Sequence, residues 1–196
     1  MTTSIPVSAY VPNIEDIWDC YQNSIESLEF KKDLILSALR GDVDVTLLAK
    51  HGITLDPLTT STEVTDLFSN TVTELENLVK LNLLSAVEGH VRYDFAIRIN
   101  NSRTDPLSIC FKNLFFSAKN QAKKVQFQGG QGILAAWDKH LTNSWKWALL
   151  KNFEDILELR HWLAHGRWWQ LEPAVNLPVS EIKDIVDNAL DAMSLP

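Results

Sequence analysis

Along most of this chain apolar residues recur at three- and four-residue intervals, and no stretch sustains a two-residue alternation, so the sequence predicts helices and no sheet. One such pattern covers about residues 13–39 through Ile14, Ile17, Trp18, Tyr21, Ile25, Leu28, Leu34, Ile35 and Ala38, with Asn13 as a candidate cap. A longer one covers about 62–99 through Val64, Leu67, Phe68, Leu75, Leu78, Val79, Leu81, Leu84, Val87, Val91, Phe95 and Ile99. Within it, Gly89 predicts either a kink or a close approach by another helix. Gly41, Gly52 and Pro57 punctuate the connection, where 45–50 can add a helical turn. Pro106 suits the first turn of a third helix through about residue 120, with Asp105 as its cap. Further helical patterns cover about 132–147, 153–165 and 180–192, and the polar, proline-bearing residues 1–12 read as a loose arm.

A chain of 196 residues, 45% hydrophobic, can bury one substantial core, whereas two independent domains would leave both pieces small. The expected architecture is therefore a single all-α domain over 1–196, a compact antiparallel helical bundle without internal repeats or sustained heptads. Two cysteines, Cys20 and Cys110, make neither a disulfide framework nor a metal set, which points to a reducing, cytoplasmic compartment. Residues 1–9 lack a basic region followed by an apolar run, and no segment offers about 18 consecutive apolar residues, so neither secretion nor a membrane span is expected.

The net charge of −7 argues against non-specific coating of nucleic acid, but the charge is unevenly placed. Residues 1–80 hold five Lys/Arg against thirteen Asp/Glu, while residues 92–151 hold ten against three. Those ten (Arg92, Arg98, Arg103, Lys112, Lys119, Lys123, Lys124, Lys139, Lys146 and Lys151) can supply a local field for a polyanion, or simply a solvated surface. Gln126-Phe127-Gln128-Gly129-Gly130-Gln131-Gly132 reads as a flexible turn. It lacks the Lys-Ser/Thr ending of a phosphate-binding loop and a preceding strand, so no nucleotide cofactor is expected there.

Chemistry concentrates in Leu159-Arg160-His161-Trp162-Leu163-Ala164-His165-Gly166. On a helix His161 and His165 share a face, whereas Arg160 is rotated by about 100° from His161 and lies about 7.5 Å from His165 along the axis. Its long side chain must therefore reach over a shared cleft for both to meet one phosphate. Gly166 is a natural stop that places His165 in the last turn, where the helix dipole favours imidazolium. Acid, base and phosphate-contact roles all remain open, as does an ordinary hydrogen-bonded core pair. Trp162 and Leu163 are expected to anchor the helix, and Trp168 and Trp169 to pack against the core or a dimer surface, or to stack on bases. Two histidines four apart are half of a zinc site, but no Glu lies between them as in the His-Glu-x-x-His motif, so no metal is assigned.

Arg160-His161-Trp162-Leu163-Ala164-His165 resembles the motif of HEPN-domain proteins: Arg, a polar residue, three spacers and His. Many of these proteins are metal-independent endoribonucleases in toxin, antiviral and RNA-processing systems. The segment Leu84-Ser85-Ala86-Val87-Glu88-Gly89-His90-Val91-Arg92 also resembles the long-helix segment of several branches, in which an acidic and a basic residue face the cleft, making Glu88 and Arg92 possible auxiliaries. As plain helix neighbours, those two would form an i,i+4 ion pair worth about 0.2–0.5 kcal/mol. The resemblance spans roughly residues 62–192 as an HEPN-like core, with the acidic first third as an N-terminal helical elaboration. His161 stands where Asn or Asp is common.

The resemblance implies attack of an RNA 2′-hydroxyl on the adjacent phosphorus, giving a 2′,3′-cyclic phosphate and a 5′-hydroxyl without any cofactor. His165 would be the principal proton-transfer residue, Arg160 would stabilise charge on the phosphate oxygens, and His161 would orient or act as a secondary proton-transfer group. It further implies a homodimer whose motifs face across one cleft, or a complex with an antitoxin or defence-system protein. On charge alone, an acidic surface over 13–80 would then contact a basic partner or keep RNA away from unsuitable surfaces. The alternative is a catalytically inactive HEPN-like module that binds RNA or a regulatory protein partner.

Overall fold

Backbone satisfaction explains why long amphipathic periodicity becomes helix: every interior N–H finds a carbonyl four residues back, while the apolar stripe goes to a core. The computed structural model describes residues 5–6, 12–166 and 177–195; these hold eight α-helices and one 3-10 turn, with no strand among them. The chain is all-α, as expected. It divides into two compact units, residues 15–79, and residues 1–14 together with 80–196.

In the first unit lie most of α1 (Ile14–Arg40), α2 (Val45–Lys50) and the opening turns of α3 (Ser61–Asn100). The cluster of Leu34, Ile35, Ala38, Leu48 and Val64 forms its core, with Leu47, Ile53, Leu55 and Phe68 packed around it. Two caps set the helix starts. The Asp44 carboxylate accepts from the Thr46 N–H at 2.8 Å, and Thr60 and Glu63 form a reciprocal capping box in which Thr60 N donates to Glu63 Oε2 at 2.8 Å and Glu63 N donates to Thr60 Oγ1 at 3.3 Å.

The second unit contains the remainder of α3 with α4 (Pro106–Ser117), α5 (Ile133–Leu141), α6 (Lys146–Asp155), α7 (Leu157–Ala164) and α8 (Val179–Met193). The helix α3 runs unbroken through Gly89. Leu83, Leu84, Val87 and Val91 on α3, Phe111 on α4, Ile133 on α5, Leu150 and Phe153 on α6, Leu159 on α7 and Ile182 on α8 are inaccessible to solvent or nearly so. Phe95 on α3 meets Phe111 with the rings tilted at a 5.1 Å centroid distance, and α6 packs along α8. As expected, Asp105 caps α4: it accepts from Ser108 N at 3.1 Å and from Ser108 Oγ at 2.6 Å, and Arg98 also reaches it at 3.1 Å.

Several expectations need correction. The predicted helix 106–120 ends at Ser117, because Lys119 and Asn120 take left-handed φ values of 55° and 58°. The predicted helix 132–147 is broken after Leu141, where Thr142 Oγ1 bonds back to Asp138 O at 2.8 Å and Ser144 N to Leu141 O at 2.7 Å before α6 begins. Short hydroxyl and amide side chains compete with the helical ladder, which accounts for a break at Thr142-Asn143-Ser144. Of the arm 1–12, expected to be loose, residues 1–4 and 7–11 lie outside the described residues, but Ile5 is buried and exchanges two hydrogen bonds with the Asn100 side chain, at 2.8 and 2.9 Å. Pro12 O also accepts from His90 Nε2 at 3.0 Å, which fixes that nitrogen as the protonated one because a carbonyl cannot donate. Among the described residues no helix is long and apolar enough to cross a membrane.

Candidate functional site

Two leucines seat the helix that carries the site. Leu157 and Leu159 on α7 are buried, and Ile156 at its junction with α6 is buried as well. Trp162 and Leu163, expected as the anchors, are half-buried, while the fully buried residues of the helix are Leu157 and Leu159. Trp168 and Trp169 lie outside the described residues.

Helical rotation then separates the motif into two groups. His161 and His165 project together, with ring centroids 4.3 Å apart and planes inclined by 55°, and both are exposed. The N–H of His165 donates to His161 O at 3.1 Å, and Gly166 ends the turn at φ 86°, a left-handed conformation that glycine adopts without strain. Arg160 goes the other way, toward α3. Its Nη2 meets Glu88 Oε2 at 2.9 Å, its side chain is one-third exposed, and its Nε is buried with no acceptor among the described residues.

Glu88 is the hub of this arrangement. While one carboxylate oxygen holds Arg160, the other accepts from Arg92 Nε at 2.7 Å, so a single negative charge bridges two guanidinium groups and the trio keeps a net positive charge. The helix-neighbour pair of Glu88 and Arg92 is therefore present, and it is joined by a third member from 72 residues away. Arg92 lies over the Phe127 ring at 5.4 Å and donates to Val125 O at 3.4 Å. Phe127 was not singled out from the sequence, because the segment 126–132 read as a flexible turn, and Val125 directly precedes it. It is in fact tied down: Val125, Phe127 and Gly132 are buried, and Ile133 N and Leu134 N donate to Gln126 O and Phe127 O. Any side chain at Gly132 would put its Cβ 2.6 Å from Gln128 O, which only glycine avoids.

Of the ten cations of 92–151, Arg92, Arg98, Lys146 and Lys151 are tethered, Lys112 is half-buried and the other five are exposed. Arg98 is held by Asp94 and Asp105, Lys151 by Asp138 and Glu154, and Lys146 caps the end of α8 by donating to Asp191 O and Ser194 Oγ. Burial pushes the Asp94 carboxyl above its ordinary range, against the pull of Arg98, whereas the Ser108 hydroxyl holds Asp105 below it. The Glu154 and Asp138 carboxylates raise Lys151, and Asp138 is lowered in turn, first by Lys151 and also by Trp147, whose Nε1 donates to it at 2.7 Å. Arg103, Lys119, Lys123, Lys124 and Lys139 are exposed.

Among the described residues no three His, Cys, Asp or Glu side chains are grouped to hold a metal ion. The arrangement offers two solvent-facing imidazoles for proton transfer and, on the same helix, an arginine held in a positively charged cluster. No family, curated protein or solved structure matches this chain, so the case for a function rests on these residues and their geometry.

Proposed function

We propose that the chain is a metal-independent endoribonuclease of the HEPN type, cleaving RNA by attack of a 2′-hydroxyl on the adjacent phosphorus. The observation that carries this reading is the exposed His161/His165 pair, in ring contact on the helix whose Arg160 sits in the net-positive cluster with Glu88 and Arg92. Transesterification needs one proton taken from the 2′-hydroxyl and one given to the departing 5′-oxygen, and imidazole is the side chain whose ordinary pKa suits both. The new 2′-oxygen to phosphorus bond forms as the phosphorus to 5′-oxygen bond breaks, leaving a 2′,3′-cyclic phosphate and a 5′-hydroxyl. His165 acts as the principal proton-transfer group and His161 orients the phosphate or carries the second transfer; Arg160, turned toward Glu88 rather than the imidazoles, offsets charge on the non-bridging oxygens only once its side chain leaves Glu88 and reaches over the cleft. DNA, lacking the nucleophile, would be inert.

A homodimer would place two copies of this set around one scissile phosphate, which one short helix surrounds poorly. An antitoxin or defence-system partner would hold such an activity in check. The second reading, a binding or regulatory module without turnover, draws on the same Glu88 bridge: a carboxylate already bound to both arginines lowers what they offer to a substrate. Incubating the purified protein with total cellular RNA in EDTA separates the two. Cleavage with cyclic-phosphate and 5′-hydroxyl ends supports the nuclease, whereas bound but intact RNA supports the module.

A further inference from the structure

Between α1 and the first half of α3 runs an open, largely apolar groove of about 900 Å³, lined by Cys20, Ser24, Leu28, Leu67, Leu75 and Leu78 among others. All of its walls belong to the unit 15–79. Leu67 and Leu78 are 63% and 59% exposed, and between residues 15 and 33 no α1 side chain is fully buried. The small core of this unit gathers Leu34, Ile35 and Ala38 of α1 and Leu48 of α2 with Val64 of α3, and takes no residue from the stretch Cys20 to Leu28. Two helices that present an apolar furrow accept the ridge of a third.

Charge selects the occupant. Glu74 is the charged residue of the lining, and the groove stretches 20–28 and 67–78 carry Glu26, Glu74 and Glu76 with no Lys or Arg, Lys31, Lys32 and Lys80 lying beyond them. A second copy of this groove would set carboxylates against carboxylates across a two-fold axis, which disfavours self-association here. A helix with an apolar stripe flanked by Lys or Arg meets both demands. The α3 wall from Leu67 to Leu78 corresponds to about three helical turns, or roughly 18 Å of contact. We propose that this groove docks a basic amphipathic helix of another protein. The inference stands apart from the ribonuclease reading, since none of its residues belongs to the Arg160 cluster.

The test uses the full chain and two 18-residue helical peptides sharing one leucine stripe, one with Lys flanks and one with Glu flanks. Binding is followed by fluorescence anisotropy at low salt, and Cys20 alkylation is followed by mass spectrometry. Cys20 is exposed on the groove wall, and the half-buried Cys110, in the other unit, is the internal control. The Lys peptide should bind saturably and slow alkylation of Cys20 but not of Cys110, and the Glu peptide should bind at least about tenfold more weakly. The double variant Leu67→Ser, Leu78→Ser, made at exposed positions so that folding survives, should weaken the Lys peptide by about tenfold or more. Glu74→Lys, which leaves the leucines in place, should weaken the Lys peptide and strengthen the Glu peptide. Equal binding of both peptides, or binding that leaves Cys20 unprotected, would overturn the proposal. So would Cys20 protection that grows with protein concentration in the absence of peptide, because the occupant would then be a second copy.

Discussion

The two halves of α3 obey one sequence rule and meet different fates. Apolar residues recur every three or four positions from Val64 to Phe95, yet Leu83, Leu84, Val87 and Val91 lose all contact with water while Leu67 and Leu78 keep more than half of theirs. Periodicity states which side of a helix is apolar and says nothing about what covers it. In the second half the Phe95 ring meets Phe111 tilted and Phe115 edge-on, and Arg98 ties α3 to the cap of α4 and lies over Trp137 of α5. In the first half, the core cluster around Leu34 and Ile35 takes Val64 from α3, with Phe68 packed against it.

The difference is measurable as stability. Leu84→Ala, at a site with no exposure, should cost about 2–5 kcal/mol in urea unfolding, since a cavity forms in a packed core; a loss below about 1 kcal/mol would mean that the second half is no better packed than the first. Gly132→Ala sharpens the same point from the loop that buttresses Arg92. Its Cβ must displace backbone oxygen, so a destabilisation of about 1–3 kcal/mol is expected, and an unchanged midpoint would show that this turn yields freely.

Asp105→Ala should cost about 1 kcal/mol at pH 7 through loss of the α4 cap. Because the folded-state pKa of Asp105 lies below its unfolded value, the contribution is fully present above the unfolded value, about 3.9, and fades as pH falls through the folded one. The gap between variant and wild type should therefore narrow in unfolding curves taken below about pH 4, and a gap that widens in acid would contradict the assignment. Smallest of all, Leu67→Ala should change stability by no more than about 0.5 kcal/mol, because the leucine is mostly in water already and alanine suits a helix; a large loss would show that the groove is covered in the free protein.

Much of this contrast was legible in part. The spans of α1 and α3 followed from apolar spacing to within about a residue or two, and Asp105-Pro106 announced its helix by a cap and a proline. The Thr60-x-x-Glu63 box was equally readable and would have placed the start of α3 correctly. The break between α5 and α6 was hidden because apolar residues continue on both sides, and only the polar run Thr142-Asn143-Ser144 hinted at it.

At the site, four-residue spacing foretold that His161 and His165 would share a face, as the Glu88/Arg92 spacing foretold their pair. The bond from Arg160 to Glu88 crosses 72 residues, and local spacing carries no information about such a contact. Nor did composition reveal that Phe127 lies beneath Arg92, since glycine-rich sequence looks alike whether the turn is mobile or packed.

The central claim is that the paired histidines and the clustered arginine perform chemistry on RNA. Its most direct measurement compares wild-type protein with Arg160→Ala and His165→Ala on the same RNA in EDTA, after circular dichroism and urea unfolding show equal folding. The account predicts cleavage by the wild type, with 2′,3′-cyclic phosphate and 5′-hydroxyl ends, and a loss of roughly a hundredfold or more in each variant. Undiminished cleavage in either folded variant, or a wild type that leaves RNA intact, would contradict it.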